Sequence, residues 1–143
     1  MAKDKSRFKI SFRVTHPTIS ASEIAEAFSM PVGRLFRSVG EPRRSPAGQD
    51  LGGVNKRTDV GFIIQDGGFR CDEFNVEDVI LEQLEKMDLE FTAHLADTGG
   101  GSEFFIGIFP EDKNIGVQID TAVTELLAAS KIELAVDIYG ADY

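Results

Sequence analysis

The chain has 143 residues, of which 42% are apolar and 11 are phenylalanine, with one cysteine and a formal net charge of −9. That length suits a single domain over residues 1–143 that buries a core without staples, and one cysteine excludes an internal disulfide and points to a reducing, cytoplasmic setting. No segment has the length of apolar sequence that a signal peptide or membrane helix needs, and the acidic balance repels phosphate, which argues against nucleic acid as a partner.

Residues 7–15 alternate strictly, with Phe8, Ile10, Phe12 and Val14 on one side and Lys9, Ser11, Arg13 and Thr15 on the other. Period two with one wet face is a half-buried strand. Ser20 and Glu23 have capping-box spacing, and Ile19 and Ile24 stand where a hydrophobic staple needs them. A short helix over 21–29 follows and Pro31 stops it.

Residues 31–58 read as a long irregular loop rich in Gly and Pro, the kind of segment that is functional or disordered. Beyond it, Val60–Gln65 is a largely buried strand and residues 66–74 are a polar connector. From Val76 to about residue 97 a helix places Ile80, Leu84, Met87, Phe91 and Leu95 on one face, and Glu77, Asp78, Glu82, Glu85 and Glu90 on the other. Asn75 caps it and Gly99–Gly101 end it, while Asp88 leaves open whether it is kinked.

Glu103–Phe109 is apolar on both faces and suits a central strand. Pro110–Asn114 is a turn, Ile115–Ile119 alternates as a further strand, and Asp120 caps a helix over 121–130. The last strand, Ile132–Tyr139, points Ile132, Leu134, Val136 and Ile138 inward. From Val60 the order is β-α-β-β-α-β, the split arrangement called ferredoxin-like, preceded by an extra strand–helix pair. The expected fold is therefore α+β, a mainly antiparallel sheet with helices on one face. Phe12, Ile64, Leu84, Phe91, Ile106, Val117, Leu126 and Val136 are its expected core.

Charge is distributed unevenly. Residues 1–57 hold 11 basic and 5 acidic side chains, and residues 58–143 hold 4 basic and 19 acidic ones. Arg34, Arg37, Arg43, Arg44, Lys56 and Arg57 crowd into one stretch against only Glu41 and Asp50.

Three stretches, FRVTHPTISASEIAEAF near the start, PVGRLFRSVGEPRR in the basic segment and LAVDIYG at Leu134–Gly140, resemble a bacterial family known as domain of unknown function 4279. The similarity covers nearly the whole chain. That family often carries a tryptophan in its arginine segment, where this chain has Phe36. The resemblance implies a small bacterial domain and brings with it no activity, substrate or catalytic residue.

Familiar chemistry is missing from the residues themselves. His16, His94 and Cys71 lack metal-ligand spacing, so no metal or cofactor is expected. Cys71 is flanked by Asp72 and Glu73, which disfavour a reactive thiolate. Gly99–Ser102 runs from helix to strand, the reverse of a phosphate-cradling loop. Residues 103–109 read as too apolar for a base-stacking platform, and the aromatic motif of RNA-binding modules is absent.

The arginine segment remains. Guanidinium forks suit carboxylate or phosphate, and Phe36 offers a stacking face. Arg34, Phe36, Arg37, Arg43 and Arg44 are the candidate binding residues, with Asp137 on the last strand as the carboxylate to watch. Arg34 and Arg37 are expected to be held by the chain's own acids, and Arg43 and Arg44 to be free. The reading is a non-enzymatic module that binds a protein partner, of the small immunity-protein type. The alternative is a binder of, or enzyme acting on, a small anionic ligand, with the arginines as its clamp.

Overall fold

The alternation of the first strand organises the sheet. In β1 (Arg7–His16), Phe8, Ile10, Phe12, Val14 and His16 are buried, and the residues between them are partly or fully exposed. The computed structural model describes residues 5–111 and 114–140. After β1 come α1 (Ala21–Ala27), β2 (Val32–Arg37), β3 (Pro42–Arg44), β4 (Asp50–Val54), β5 (Thr58–Ile63) and β6 (Phe69–Arg70). The chain continues with α2 (Val76–Lys86), α3 (Leu89–Asp97), β7 (Gly101–Phe109), α4 (Thr121–Ala129) and β8 (Ile132–Ile138).

The main sheet runs β2-β5-β1-β7-β8, with β6 paired to the start of β1. All its pairings are antiparallel except β7 with β8, which α4 joins by a crossover. The protein is thus a single α+β domain with a mainly antiparallel mixed sheet. No helix among the described residues is long and apolar enough to cross a membrane.

The buried side chains of the four helices and of β1, β5 and β7 form one cluster. At its centre the ring of Phe12 lies 5.1 Å from Phe28, 6.1 Å from Phe62 and 5.1 Å from Phe104. Such ring pairs each add about 0.5–1.5 kcal/mol beyond the area they bury. α1, α2 and α3 begin at side-chain caps, whereas Asp120, at the N-cap of α4, makes no side-chain cap bond. Ser20 Oγ accepts from Glu23 N at 3.2 Å, Asn75 Oδ1 from Glu77 N at 2.8 Å, and Asp88 Oδ1 from Phe91 N at 3.1 Å.

Several expectations need correction. The helix over 76–97 is two helices, because the Asp88 carboxylate caps α3 and breaks the run at Met87. Ile115–Ile119 alternates but forms no strand; β8 occupies the edge beside β7 instead. The connector over 66–74 contains β6, whose Phe69 stacks on Phe8 at 5.1 Å. The βαββαβ order does not begin at Val60. Of the expected core, Phe12, Leu84 and Ile106 are buried, and Ile64, Phe91 and Leu126 pack against the cluster from its margin. Val117 and Val136 are exposed, Val136 because β8 is an edge strand.

β7 is also less enclosed than its composition suggests. Phe104, Ile106 and Ile108 are buried, whereas Phe105 and Phe109 lie on the other face of the sheet. Charged side chains of β1 lie over these rings, Arg13 at 4.0 Å from the Phe105 centroid and Lys9 at 5.9 Å from that of Phe109. Phe109 stacks in turn on Tyr139 at 4.7 Å. The cations of β1 therefore cover apolar surface with their own stems and heads.

The turn from α3 into β7 tests how tightly this frame closes. A Cβ on Gly100 would meet Thr15 O, and would lie 2.6 Å from His16 Cδ2 and 3.1 Å from His16 Cα. Gly101 has nothing within 4 Å of that position. Gly100→Ala should therefore cost about 2 kcal/mol or more, whereas Gly101→Ala stays within about 1 kcal/mol of wild type. Urea denaturation of the two variants measures both, and equal midpoints would contradict the packing described.

Candidate functional site

The basic segment is ordered as an edge strand and a hairpin. β2 pairs with β5 through Val32↔Phe62, Phe36↔Val60 and Arg37↔Asp59, with an irregularity between Val32 and Phe36. Glycines allow the strands to approach. A Cβ on Gly61 would lie 3.2 Å from Leu35 Cβ, and one on Gly33 would lie 3.2 Å from Ile63 Cγ1.

β3 and β4 pair only with each other. Their tip is a turn with serine first, proline second and glycine fourth, in which Gly48 N donates to Ser45 O at 2.8 Å and Gln49 N to Ser45 Oγ at 3.1 Å. The hairpin base is tied to the core through the buried Ser38 and Thr58. Ala21 N donates to Ser38 Oγ at 2.8 Å, Val39 N to Thr58 Oγ1 at 3.0 Å, and Asn55 Nδ2 to Ser38 O at 3.0 Å. Sequence reasoning took this segment for a loop, although the Ser45-Pro46-Ala47-Gly48 tetrapeptide carries a turn signature.

Within this edge the arginines fall into two groups. Arg37 and Arg57 converge on Asp59, at 3.3 Å and 3.1 Å, and the Asp59 side chain is only 8% exposed. Asp59 is the neighbour of these arginines that sequence reasoning missed. It sits 22 residues from Arg37 and is brought to it only by strand pairing. Arg34 and Arg43 have no carboxylate partner among the described residues, and Arg44 only donates from Nη1 to Gly48 O at 3.3 Å. The expectation that Arg34 would be held is thus corrected, while Arg37 is held and Arg43 and Arg44 are unpaired.

Arg34, Phe36, Arg37 and Arg44 line one cleft of about 730 Å³ between β2 and the hairpin, together with Glu41, Pro42 and Pro46; Glu41 forms no ion pair with these arginines. Arg43 does not line it; its Cδ lies 3.9 Å from the Cβ position of Gly53. Asp137 lies elsewhere altogether. It is on β8, paired with Gly107 at the opposite edge of the sheet, four strands from β2 and so about 19 Å away. It takes no part in this cleft.

A second groove, of about 660 Å³, opens where Asp59, Arg13, Arg57, Glu103, Lys131 and Glu133 come together. Its charges are largely matched within the chain. Arg13 stands 3.9 Å from Glu103, Arg57 meets Asp59, and Lys131 pairs with Asp97. The cleft beside β2 holds unpaired cations and is therefore the candidate recognition site.

No group of three or more His, Cys, Asp or Glu among the described residues is arranged to hold a metal. His16 has a structural task. Its Nδ1 accepts from Thr18 N at 3.1 Å and Ile19 N at 3.0 Å, which leaves the proton on Nε2 to donate to Thr98 Oγ1 at 2.7 Å. That hydroxyl donates onward to His94 O at 2.8 Å. Burial, and to a lesser degree the charge of His94, holds the His16 pKa below its ordinary value. Cys71 is half-buried beside Phe8 and Phe74.

Comparison with family models, with curated proteins and with solved structures finds no match to this chain in any of the three.

Two outcomes follow from these contacts. Asp59→Ala leaves two guanidinium groups without their shared carboxylate and should cost about 1–3 kcal/mol in urea denaturation. Arg37→Ala or Arg57→Ala alone, each removing a half-exposed partner, should cost about 0–1 kcal/mol. An Asp59→Ala protein as stable as wild type would contradict the assignment.

The second outcome concerns pH. Because the His16 pKa is lowered in the folded protein, its contribution is complete above the ordinary imidazole value near 6.5. As pH falls through that value the unfolded chain takes up the proton first, and stability is lost until the folded form also protonates. The fall in urea midpoint between about pH 8 and pH 5 should therefore be shallower in His16→Gln than in wild type. Identical slopes would contradict it.

Proposed function

We propose that this protein is a non-enzymatic protein-interaction module, of the small immunity-protein type, whose contact surface is the basic edge formed by β2 and the β3–β4 hairpin. One observation carries the reading: Arg34 and Arg44 face the same cleft, beside an exposed Phe36, and neither has a carboxylate partner among the described residues. Arginine and aromatic side chains are the usual anchors of protein interfaces. A patch whose cations outnumber its one lining carboxylate, Glu41, on a chain of the opposite net charge also steers and orients an approaching partner. The partner region that fits is acidic with apolar residues interspersed.

A second reading is kept on the strength of the cleft's concavity. At about 730 Å³ it has the size of a small-molecule site, so a small anionic ligand clamped by Arg34 and Arg44 is the alternative. The sequence stretches described above also support membership of the domain of unknown function 4279 family as a proposal. The run β1-α1-β2-β5-α2-α3-β7, in sheet order β2-β5-β1-β7, supports a ferredoxin-like core. On this reading the additional pair is α4-β8 at its C-terminal side, not a strand and helix in front.

Fluorescence anisotropy with a labelled peptide rich in Glu, Asp and Leu tests the reading. The Arg34→Ala/Arg44→Ala double variant should bind about 10-fold or more weakly, since charge-assisted contacts contribute roughly 1.5–3 kcal/mol each. Its melting temperature should stay within about 2 °C of wild type, because no ion pair among the described residues is lost. Equal binding by the two proteins would contradict the proposal. Loss of peptide binding in competition with citrate or phosphate at micromolar concentration would favour the small-ligand alternative.

A further inference from the structure

We propose that the free edge of β2 takes in an additional strand, an extended peptide segment with an acidic residue flanked at two-residue spacing by apolar ones. The inference rests on the reading of this edge as a contact surface and names how the partner is held. β2 ends the sheet order, and among the described residues no backbone group from Val32 to Arg37 bonds to anything but β5. A row of unused N–H and C=O groups is a template for strand addition.

The cleft supplies the space. It is lined by Arg34, Leu35, Phe36 and Arg37 of β2 and by Pro42, Arg44, Ser45 and Pro46 of the hairpin, with Glu41 and Asn55 at the hairpin base. A segment lying in it therefore runs alongside β2, with the hairpin as its outer wall. Prolines on that wall present no N–H at Pro42 and Pro46, so the hairpin does not compete for the edge itself.

Side-chain chemistry sets the sequence of the guest. Val32, Arg34 and Phe36 are two residues apart along β2, across the irregularity that a guest strand would have to follow, and Val32 and Phe36 are 41% and 45% exposed. A guest strand presents its own alternate residues opposite these three. Apolar side chains cover Val32 and Phe36, and a carboxylate between them meets Arg34 and Arg44. Charged residues on an edge also discourage indiscriminate pairing, so the arginines select an acidic strand and repel a basic one.

The test uses the full chain, labelled with nitrogen-15, and three capped seven-residue peptides. The parent has valine second and sixth, glutamate fourth and threonine elsewhere. One analogue replaces the glutamate with lysine, and the other is N-methylated at the alternate amides that would face β2. The parent should bind and slow hydrogen exchange of the outward-facing β2 amides by about 10-fold or more. Lysine substitution, N-methylation and the Arg34→Ala/Arg44→Ala variant should each weaken binding by about 10-fold or more.

If the N-methylated peptide binds as well as the parent and β2 exchange is unchanged, strand addition is wrong while the contact-surface reading stands. If the parent does not bind, and the acidic peptide of the anisotropy experiment does not either, both are wrong. Protection of β2 that instead grows with protein concentration, together with a rising sedimentation coefficient, would assign the edge to a second copy and overturn the proposal.

Discussion

The structure depends on a single strand whose two faces do different work. β1 pairs with β5, β6 and β7, so every other strand of the main sheet is placed directly or at one remove by its backbone. Its even-numbered side chains anchor the core, and Phe12 alone meets the rings of Phe28, Phe62 and Phe104. The register of a half-buried strand is strongly specified, because a shift of one residue would turn Phe8, Ile10, Phe12 and Val14 to the open face. With β1 fixed, β2 and β8 necessarily become the two edges.

That order converts a sequence asymmetry into a spatial one. The basic first part of the chain supplies β2, the hairpin and the Arg57 end of β5, all at one edge. The acidic second part supplies α2, α3, α4 and β8, with Glu133 and Asp137 at the other edge. Asp59 is the point at which the basic edge is stabilised from within. One largely buried carboxylate satisfies Arg37 and Arg57 and leaves Arg34, Arg43 and Arg44 to face outward. Neighbouring arginines are thus divided between those paired within the chain and those that face outward.

The parts of this arrangement legible in the sequence are those with local causes. Strict alternation announced β1, and the Ser20–Glu23 pair announced α1, because each signal lies within a few residues. The basic edge was harder to read. Gly33 and the irregular pairing between Val32 and Phe36 blur the alternation of β2, and Arg34 and Arg37 mask its apolar members. Ile115–Ile119 had the period of a strand but no neighbour to pair with, since a pattern specifies a face and not a partner. Of the candidate residues, Arg34, Phe36, Arg37 and Arg44 come together, Arg43 points elsewhere on the hairpin, and Asp137 lies at the far edge. Asp59 had no local signal, because its importance comes from a cross-strand pairing.

Amide hydrogen exchange of the protein alone, followed residue by residue, reads the exposed edge directly. Exchange should be slowest in β1 and in the stretch of β7 paired to it, with the outward-facing amides of β2 exchanging rapidly at dilute and concentrated protein alike. Strong protection of those β2 amides in the dilute protein would mean that the chain already covers its own basic edge. The division of that edge into a pinned interior and an open outer strand would then be wrong.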